Sequence, residues 1–266
     1  MKKNIRAIIR DLIPTSLQVP IKYWYCYFKG MLEPEMHFIK LLVPPKGHAI
    51  DVGGNRGIYS YKLNLLDMRV DAFEPNPECY EILNAWGKNK KKVTIHQIAL
   101  SNSSGSANLN IPIDDEGTEH DSSATIESVD FKNVRHQIVN LQTLDSFNFS
   151  SVDFIKVDVE GHESTLIDGA LKTISSNKPV LLMEIEQRHN KEDISEIFNK
   201  ITAFNYKGYF LKENKFYNLE KFIVKKFQSL EQFGDLDSYI NNFFFLHADR
   251  VRDGEYRKFL NFVDKN

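Results

Sequence analysis

Only two cysteines, Cys26 and Cys79, occur in 266 residues. Two thiols so placed give neither a disulfide framework nor the paired spacing of a zinc site. They read as ordinary thiols in a reducing compartment. No apolar run approaches the roughly 20 residues that span a bilayer. Lys2 and Lys3 begin like a signal-peptide n-region, but Arg6, Arg10 and Asp11 interrupt any apolar core behind them, so a cytoplasmic location is expected. Charge of one sign is missing too. The 34 basic and 36 acidic side chains leave a net charge of −2, too weak a field to favour a nucleic acid partner. There is no internal repeat and no low-complexity linker, and the length suits one substantial α/β core.

A further absence concerns the glycines. In Ala49-Ile50-Asp51-Val52-Gly53-Gly54-Asn55-Arg56-Gly57, an apolar strand ends in an acidic residue and a glycine-rich turn, and a helix pattern begins at Ile58. A dinucleotide site would show G-x-G-x-x-G. Read from Gly53, its later glycines fall on Asn55 and Ile58; read from Gly54, on Arg56 and Tyr59. Both registers fail. NAD needs that bare backbone for its pyrophosphate, whereas S-adenosylmethionine has no phosphate. Glu74 closes the next strand, Val70-Asp71-Ala72-Phe73-Glu74, where a carboxylate can accept both hydroxyls of a ribose. The pattern therefore favours S-adenosylmethionine. Gly53, Asn55 and Gly57 form the turn, Glu74 holds the ribose, and Asp51 meets the ammonium directly or through water.

From His48 the rhythm is strand, helix, strand. Asn76 and Pro77 open a helix to about Trp86. Val93 to Leu100 reads as a third strand, Val152 to Val157 as a fourth and Val180 to Ile185 as a fifth. Leu166, Ile167, Ala170, Leu171 and Ile174 mark the buried face of one helix, and Ile194, Ile197, Phe198 and Ile201 that of another. Tyr206 to Leu211 and Asn242 to Leu246 complete the sheet. Alternating strands and helices imply a parallel, doubly wound sheet with its site at the strand carboxyl ends, where Asp51, Glu74, Asp158 and Glu184 all fall. Residues 105 to 112 and 136 to 142 read as extra strands flanking a polar loop, either a lid over the acceptor pocket or a plain surface hairpin.

Residues 1–45 stand apart as a helical extension. Ile5, Ile8, Ile9, Leu12 and Ile13 share one helical face, and the aromatic run Tyr23-Trp24-Tyr25-Cys26-Tyr27-Phe28 follows. A cap packed on the domain is the preferred reading. The alternative is a peripheral membrane or lipid-linked acceptor contact through residues 1–30. The main domain takes residues 46–250, and 251–266 form a C-terminal tail.

Taken together, these segments resemble the FkbM family of S-adenosylmethionine-dependent methyltransferases. The resemblance lies in Ile50 to Tyr59, Phe73-Glu74-Pro75-Asn76-Pro77, Ala99-Leu100-Ser101, Leu144-Asp145, Gly169-Ala170 and Pro179 to Glu186. Its most specific part is Ile155-Lys156-Val157-Asp158-Val159-Glu160-Gly161-His162-Glu163. It extends over roughly residues 33 to 250; Gly54 departs from it, where many relatives carry alanine. The resemblance implies a class I methyltransferase (Rossmann-like) fold: a seven-stranded, mostly parallel sheet with helices on both faces and an antiparallel last strand. It also implies methyl transfer to oxygen, commonly a sugar or polyketide hydroxyl, so that the expected small-molecule or glycan acceptor is a hydroxyl on a sugar, glycan or glycolipid precursor.

A sugar hydroxyl is a poor nucleophile near neutral pH, so a general base or a metal is expected beside it. Asp158, Glu160 and His162 are the expected catalytic residues, with Glu184 a further candidate base and Asp158 also facing the cofactor. Histidine suits the task by its ordinary pKa near 6.5, while Glu163 is better placed to start a helix. A divalent metal on Asp158 with Glu184 or Glu186 is allowed by the residue types but not expected. The rival functions are N- or C-methylation on the same fold, an NAD-type oxidoreductase and a non-catalytic binding module.

Overall fold

The computed structural model describes residues 13–128, 132–229, 231, 233–234 and 238–264. Ile5, Ile8, Ile9 and Leu12 of the expected first helical face lie outside the described residues. The strands are β1 (His48–Val52), β2 (Arg69–Phe73), β3 (Val93–His96), β4 (Ala99–Leu100), β5 (Gly105–Pro112), β6 (Val134–Gln142), β7 (Val152–Val157), β8 (Val180–Glu184), β9 (Tyr206–Lys212), β10 (Lys215–Asn218) and β11 (Asn242–His247). The helices are α1 (Thr15–Phe28), α2 (Ile58–Leu65), α3 (Pro77–Gly87), α4 (Glu163–Asp168), α5 (Leu171–Asn177), α6 (Ser195–Thr202), α7 (Val224–Phe227), α8 (Ala248–Arg252) and α9 (Arg257–Leu260).

The main sheet runs β10-β9-β11-β8-β7-β1-β2-β3. Strands β3, β2, β1, β7 and β8 pair in parallel, and β11 lies antiparallel between β8 and β9. The order reverses between β1 and β7, which places a crevice at the carboxyl ends of those two strands. This is the class I methyltransferase arrangement, with one strand more than the expected seven. The extra strand, β10, returns from β9 through Glu213 and Asn214, whose φ values of 51° and 61° suit a tight two-residue hairpin turn.

Apolar residues alternate along the central strands and so load both faces of the sheet. Ala49, Phe154, Leu182 and Phe244 face one core with Val19 and Tyr23 of α1, Leu63 of α2, Leu83 of α3 and Phe259 of α9. Ile50, Ile155, Leu181 and Phe243 face the other, with Leu166 of α4, Ile174 of α5 and Ile197 and Phe198 of α6. Helices α1 and α9 thus pack on the same, first face. Helix α1 buries Val19, Tyr23 and Cys26, the arrangement of a cap, and Tyr256 and Phe259 anchor the carboxyl-terminal residues.

Three expectations need correction. The third strand stops at His96, and Ala99–Leu100 instead pairs with β6 in a separate three-stranded sheet, β4-β6-β5. The helix after β7 is two short helices broken at Gly169 and Ala170, because a Cβ at Gly169 would lie 1.9 Å from the Ser101 carbonyl oxygen. Leu171 therefore starts a new helix and is exposed rather than buried.

Candidate active site

Strand register builds the site. Val52 pairs with Phe73 on one side and Val157 on the other, and Val157 pairs with Met183. The residues that follow, Gly53, Glu74, Asp158 and Glu184, therefore stand level across four parallel strand ends. Gly53 and Gly54 both donate their backbone N–H to the Phe73 carbonyl, at 2.9 and 3.0 Å. Gly53 adopts φ 76°, and a Cβ there would lie 1.8 Å from the Asp158 carbonyl oxygen. No other residue fits both the left-handed backbone and the close approach. Gly57, at φ 79°, caps α2, where a Cβ would come within 2.5 Å of Leu83.

Glu74 is buried, and each of its oxygens already has a backbone donor. Asn55 N–H lies 2.6 Å from Oε2 and Asn76 N–H lies 2.7 Å from Oε1. Each carboxylate oxygen keeps a second lone pair, which the diol of a ribose can use. Burial pushes the Glu74 carboxyl up to about 7, against the pull of those two N–H groups. Asn55 itself is left-handed at φ 44°, which aims its N–H at Glu74. Asp51 is also buried and is pushed up by burial to about 6, while Ser60 Oγ donates to it at 2.5 Å.

Two cavities flank the Gly53–Asp158 contact. The first is lined by Glu74 and Asn55, by the apolar side chains of Phe73, Ile98, Leu100 and Ile126, and by Asp121, Thr125, Glu160 and His162. The second is lined by Asp51, Arg56, Tyr59 and Lys156 together with Lys22, Met31, Leu32 and Glu33 from the amino-terminal segment. Gly53, Asn55 and Asp158 border both.

The second cavity joins motif residues to partners from distant parts of the chain. Lys156, almost wholly buried, places Nζ 3.1 Å from Asn242 Oδ1, 3.9 Å from Glu184 Oε2 and 4.9 Å from the centre of the Tyr59 ring. Burial opposes its charge, but Asp158, Glu33, Glu184 and Asp51 outweigh that penalty and hold its pKa above the ordinary lysine value. Tyr59 Oη donates to Glu33, and Asn242 Nδ2 donates to the same oxygen at 3.1 Å. Asp158 is pushed well up, first by burial and then by Glu160 and other carboxylates, with Lys156 pulling the other way. Glu33, Lys156 and Asn242 are brought together from distant parts of the chain. The one signal in the sequence was a lysine at a position that alternation assigns to a buried strand face.

Glu160 and His162 lie in the first cavity, away from the Lys156 cluster. His162 Nδ1 is 2.6 Å from Glu127 Oε1 and its Nε2 is 2.9 Å from Ser101 Oγ. Both ring nitrogens are committed, a geometry that runs against the expected base role and makes His162 a tie between the insertion and α4. Glu160 adopts φ 49°, and its Oε2 lies 2.7 Å from His189 Nε2, close for an ion pair but poorly aligned for a hydrogen bond. Glu186 accepts from Arg188 at 2.7 and 2.9 Å and from Tyr239 at 2.5 Å. The ligand atoms of Glu160, Glu186 and His189 fall within 4.8 Å of one another, but protein cations and donors already balance these carboxylates. Glu184 accepts from Asn241 at 2.6 Å, lies 3.9 Å from Lys156 Nζ and is pushed well up by burial and then by the neighbouring Asp158 charge. Glu163 begins α4 and accepts the Gly161 N–H at 2.8 Å, the helix-start role expected of it.

The polar insertion packs over the first cavity, which Asp121, Thr125 and Ile126 help to line. Arg56 Nη2 donates to Asp121 Oδ2 at 2.5 Å, Asn76 Nδ2 donates to Asp121 Oδ1 at 3.1 Å, and Thr125 Oγ1 donates to the Glu160 carbonyl at 2.8 Å.

Residues 51–211 match the model of the methyltransferase FkbM domain. No curated protein matches the sequence. Among solved structures, the chain is similar to a methyltransferase FkbM from Methylobacillus flagellatus, at 15% identity and TM-score 0.49, with 88% of this chain covered. The chain spans only 55% of the length of that protein. It is also similar to a precorrin-6y C5,15-methyltransferase from Geobacter metallireducens, at 11% identity and TM-score 0.42 over 80% of this chain and 86% of that one. A TehB-like methyltransferase from Corynebacterium glutamicum follows at 12% identity and TM-score 0.39, over 86% and 96%. These likenesses are distant, and the assignment stands on the strand order and on a domain match that spans more than half of the chain. The chain belongs to the FkbM methyltransferase family.

Proposed function

We propose that this protein transfers the methyl group of S-adenosylmethionine to a hydroxyl oxygen of a sugar, glycan or glycolipid precursor. The donor set of the first cavity fits the nucleoside. Apolar walls at Ile98, Leu100 and Ile126 suit a base, and one buried carboxylate, Glu74, suits a diol. Across the Gly53 turn, Asp51 and Lys22 offer opposite charges to an amine and a carboxylate. When bound, the cofactor supplies an electrophilic methyl group on a sulfonium.

The observation that carries the reading is the position of Asp158, which borders both cavities. A hydroxyl held in the second cavity must lose its proton as its oxygen is methylated. A carboxylate whose pKa burial raises well above the ordinary aspartate value is a stronger base for that proton. Lys156 balances the cluster charge, and Glu33 Oε1 and the lone pairs of Tyr59 Oη offer acceptors that orient the remaining hydroxyls. Orientation itself supplies much of the rate in a displacement of this kind.

The test is methyl transfer from labelled S-adenosylmethionine across sugar nucleotides and lipid-linked glycans. Asp158→Asn should lower turnover by roughly 10²–10⁴-fold, the usual worth of a general base, with S-adenosylhomocysteine affinity kept. Unimpaired turnover would remove Asp158 as the base. A methyl group on nitrogen or carbon would replace the hydroxyl reading.

A further inference from the structure

One face of α1 is left uncovered beside the second cavity. Thirteen large apolar side chains are exposed among the described residues, and seven of them fall between residues 17 and 31. Scattered exposure of single apolar residues is ordinary, but a cluster of this kind marks a contact surface. Phe28 is 79% exposed, Met31 57% and Tyr25 52%. The Trp24, Tyr27 and Phe28 rings touch one another, with centroids 5.4 to 5.9 Å apart, so the patch is continuous.

Charge identifies what would cover it. Residues 12–32 contain no aspartate or glutamate. Over residues 1–32, Lys2, Lys3, Arg6, Arg10, Lys22 and Lys29 stand against Asp11 alone, a charge of +5; since the whole chain sums to −2, the remainder carries −7. Interfacial tryptophan and tyrosine beside lysine and arginine form the surface that anionic lipid headgroups attract. A second copy fits poorly, because a two-fold contact would set one basic segment against the other. The patch also leads into the site, since Lys22, Met31 and Leu32 line the second cavity.

We infer that α1 docks the protein on an anionic bilayer surface, with the second cavity opening toward the headgroups. An acceptor anchored in that bilayer would then reach Asp158 without leaving it. This placement of the acceptor rests on the methyltransferase reading; the docking does not.

Two measurements on the full chain separate them. Co-sedimentation with phosphatidylcholine vesicles, with and without phosphatidylglycerol, reads docking, and calorimetry with S-adenosylhomocysteine reads the cofactor site. Binding should be at least about tenfold stronger to the anionic vesicles and should weaken with salt. Trp24 is part-exposed while Trp86, the only other tryptophan, is buried. Docking should therefore shift tryptophan emission to the blue in the wild type and not in Trp24→Phe. Tyr25→Ser with Phe28→Ser should reduce vesicle binding about tenfold or more, with cofactor affinity unchanged. Failure to bind anionic vesicles, equal binding by the double variant, or a wild-type dimer that the double variant converts to monomer would each overturn the inference. Loss of S-adenosylhomocysteine binding alone would count against the methyltransferase reading instead.

Discussion

Glu74 holds its own strand end together before any ligand arrives. Its two oxygens take the Asn55 and Asn76 N–H groups, so Glu74→Ala should remove a ribose ligand and also strand two donors. Calorimetry should show S-adenosylhomocysteine binding weakened by ~1.5–3 kcal/mol, the worth of hydrogen bonds to a charged group, together with a lower melting temperature. Because burial raises this carboxyl to about 7, most of it is protonated below that pH in the free protein. Binding that needs the carboxylate must then release a proton. Affinity should fall as pH drops from 8 to 6, by at most about tenfold per unit for one proton, and Glu74→Ala should flatten that slope. A steep slope in the variant would assign the proton elsewhere, with Asp51 the next candidate. His162→Ala should retain turnover far better than Asp158→Asn, since its ring is tied to Glu127 and Ser101. The residues legible in sequence were those fixed by local rules: a glycine turn and carboxylates one step past apolar strands. Glu33, Tyr59 and Lys156 were not legible in this role, because their meeting depends on the segment after α1 and on β11 returning to the same strand ends.

At the scale of elements, the strands were easiest to read where burial on both faces gives unbroken apolar runs, as in β7 and β8. The third strand was overextended, since Val93 to Leu100 keeps a plausible pattern through Gln97. What ends it is tertiary: Ala99–Leu100 finds its partner in β6, a strand from the far side of the insertion. The sequence allows the polar loop to be either a lid or a plain surface hairpin, and the structure sets it against the first cavity. Its charge pattern announces a surface loop, but only the Arg56–Asp121 and Asn76–Asp121 contacts fix which cavity it covers. Asp121→Ala should therefore weaken S-adenosylhomocysteine binding several-fold and speed proteolytic cleavage within residues 113–124. Equal affinity and equal protection would make the insertion a surface hairpin with no hold on the cofactor side.

Across the whole molecule, a doubly wound sheet with two cores was foreseeable from the alternation of strands and helices. The placement of α1 and α9 on one face was not, because amphipathic segments show how much they bury and not against what. Among the described residues no helix is long and apolar enough to cross a membrane. Within the sheet, Asp71 on β2 joins β1 and β3 through His48 Nε2 at 2.8 Å and His96 Nε2 at 2.9 Å. Burial works against the Asp71 carboxylate, yet these two imidazoles outweigh it and hold the carboxyl down at about 2. A depressed carboxyl stabilises the fold above its unfolded value near 3.9 and loses that contribution as pH falls through the folded value. Wild-type melting temperature should drop between about pH 4 and pH 2. Asp71→Asn should be less stable at neutral pH and should show a shallower acid drop.

The central claim is methyl transfer to a hydroxyl within the second cavity. It is tested most directly by incubating the protein with methyl-labelled S-adenosylmethionine and a panel of lipid-linked and nucleotide-linked sugars, then locating the transferred carbon by NMR. The account predicts an ether methyl on a carbohydrate oxygen, formed by the wild type and lost in Asp158→Asn although that variant still binds S-adenosylhomocysteine. A methyl group found on nitrogen or carbon, or full transfer by Asp158→Asn, would contradict it.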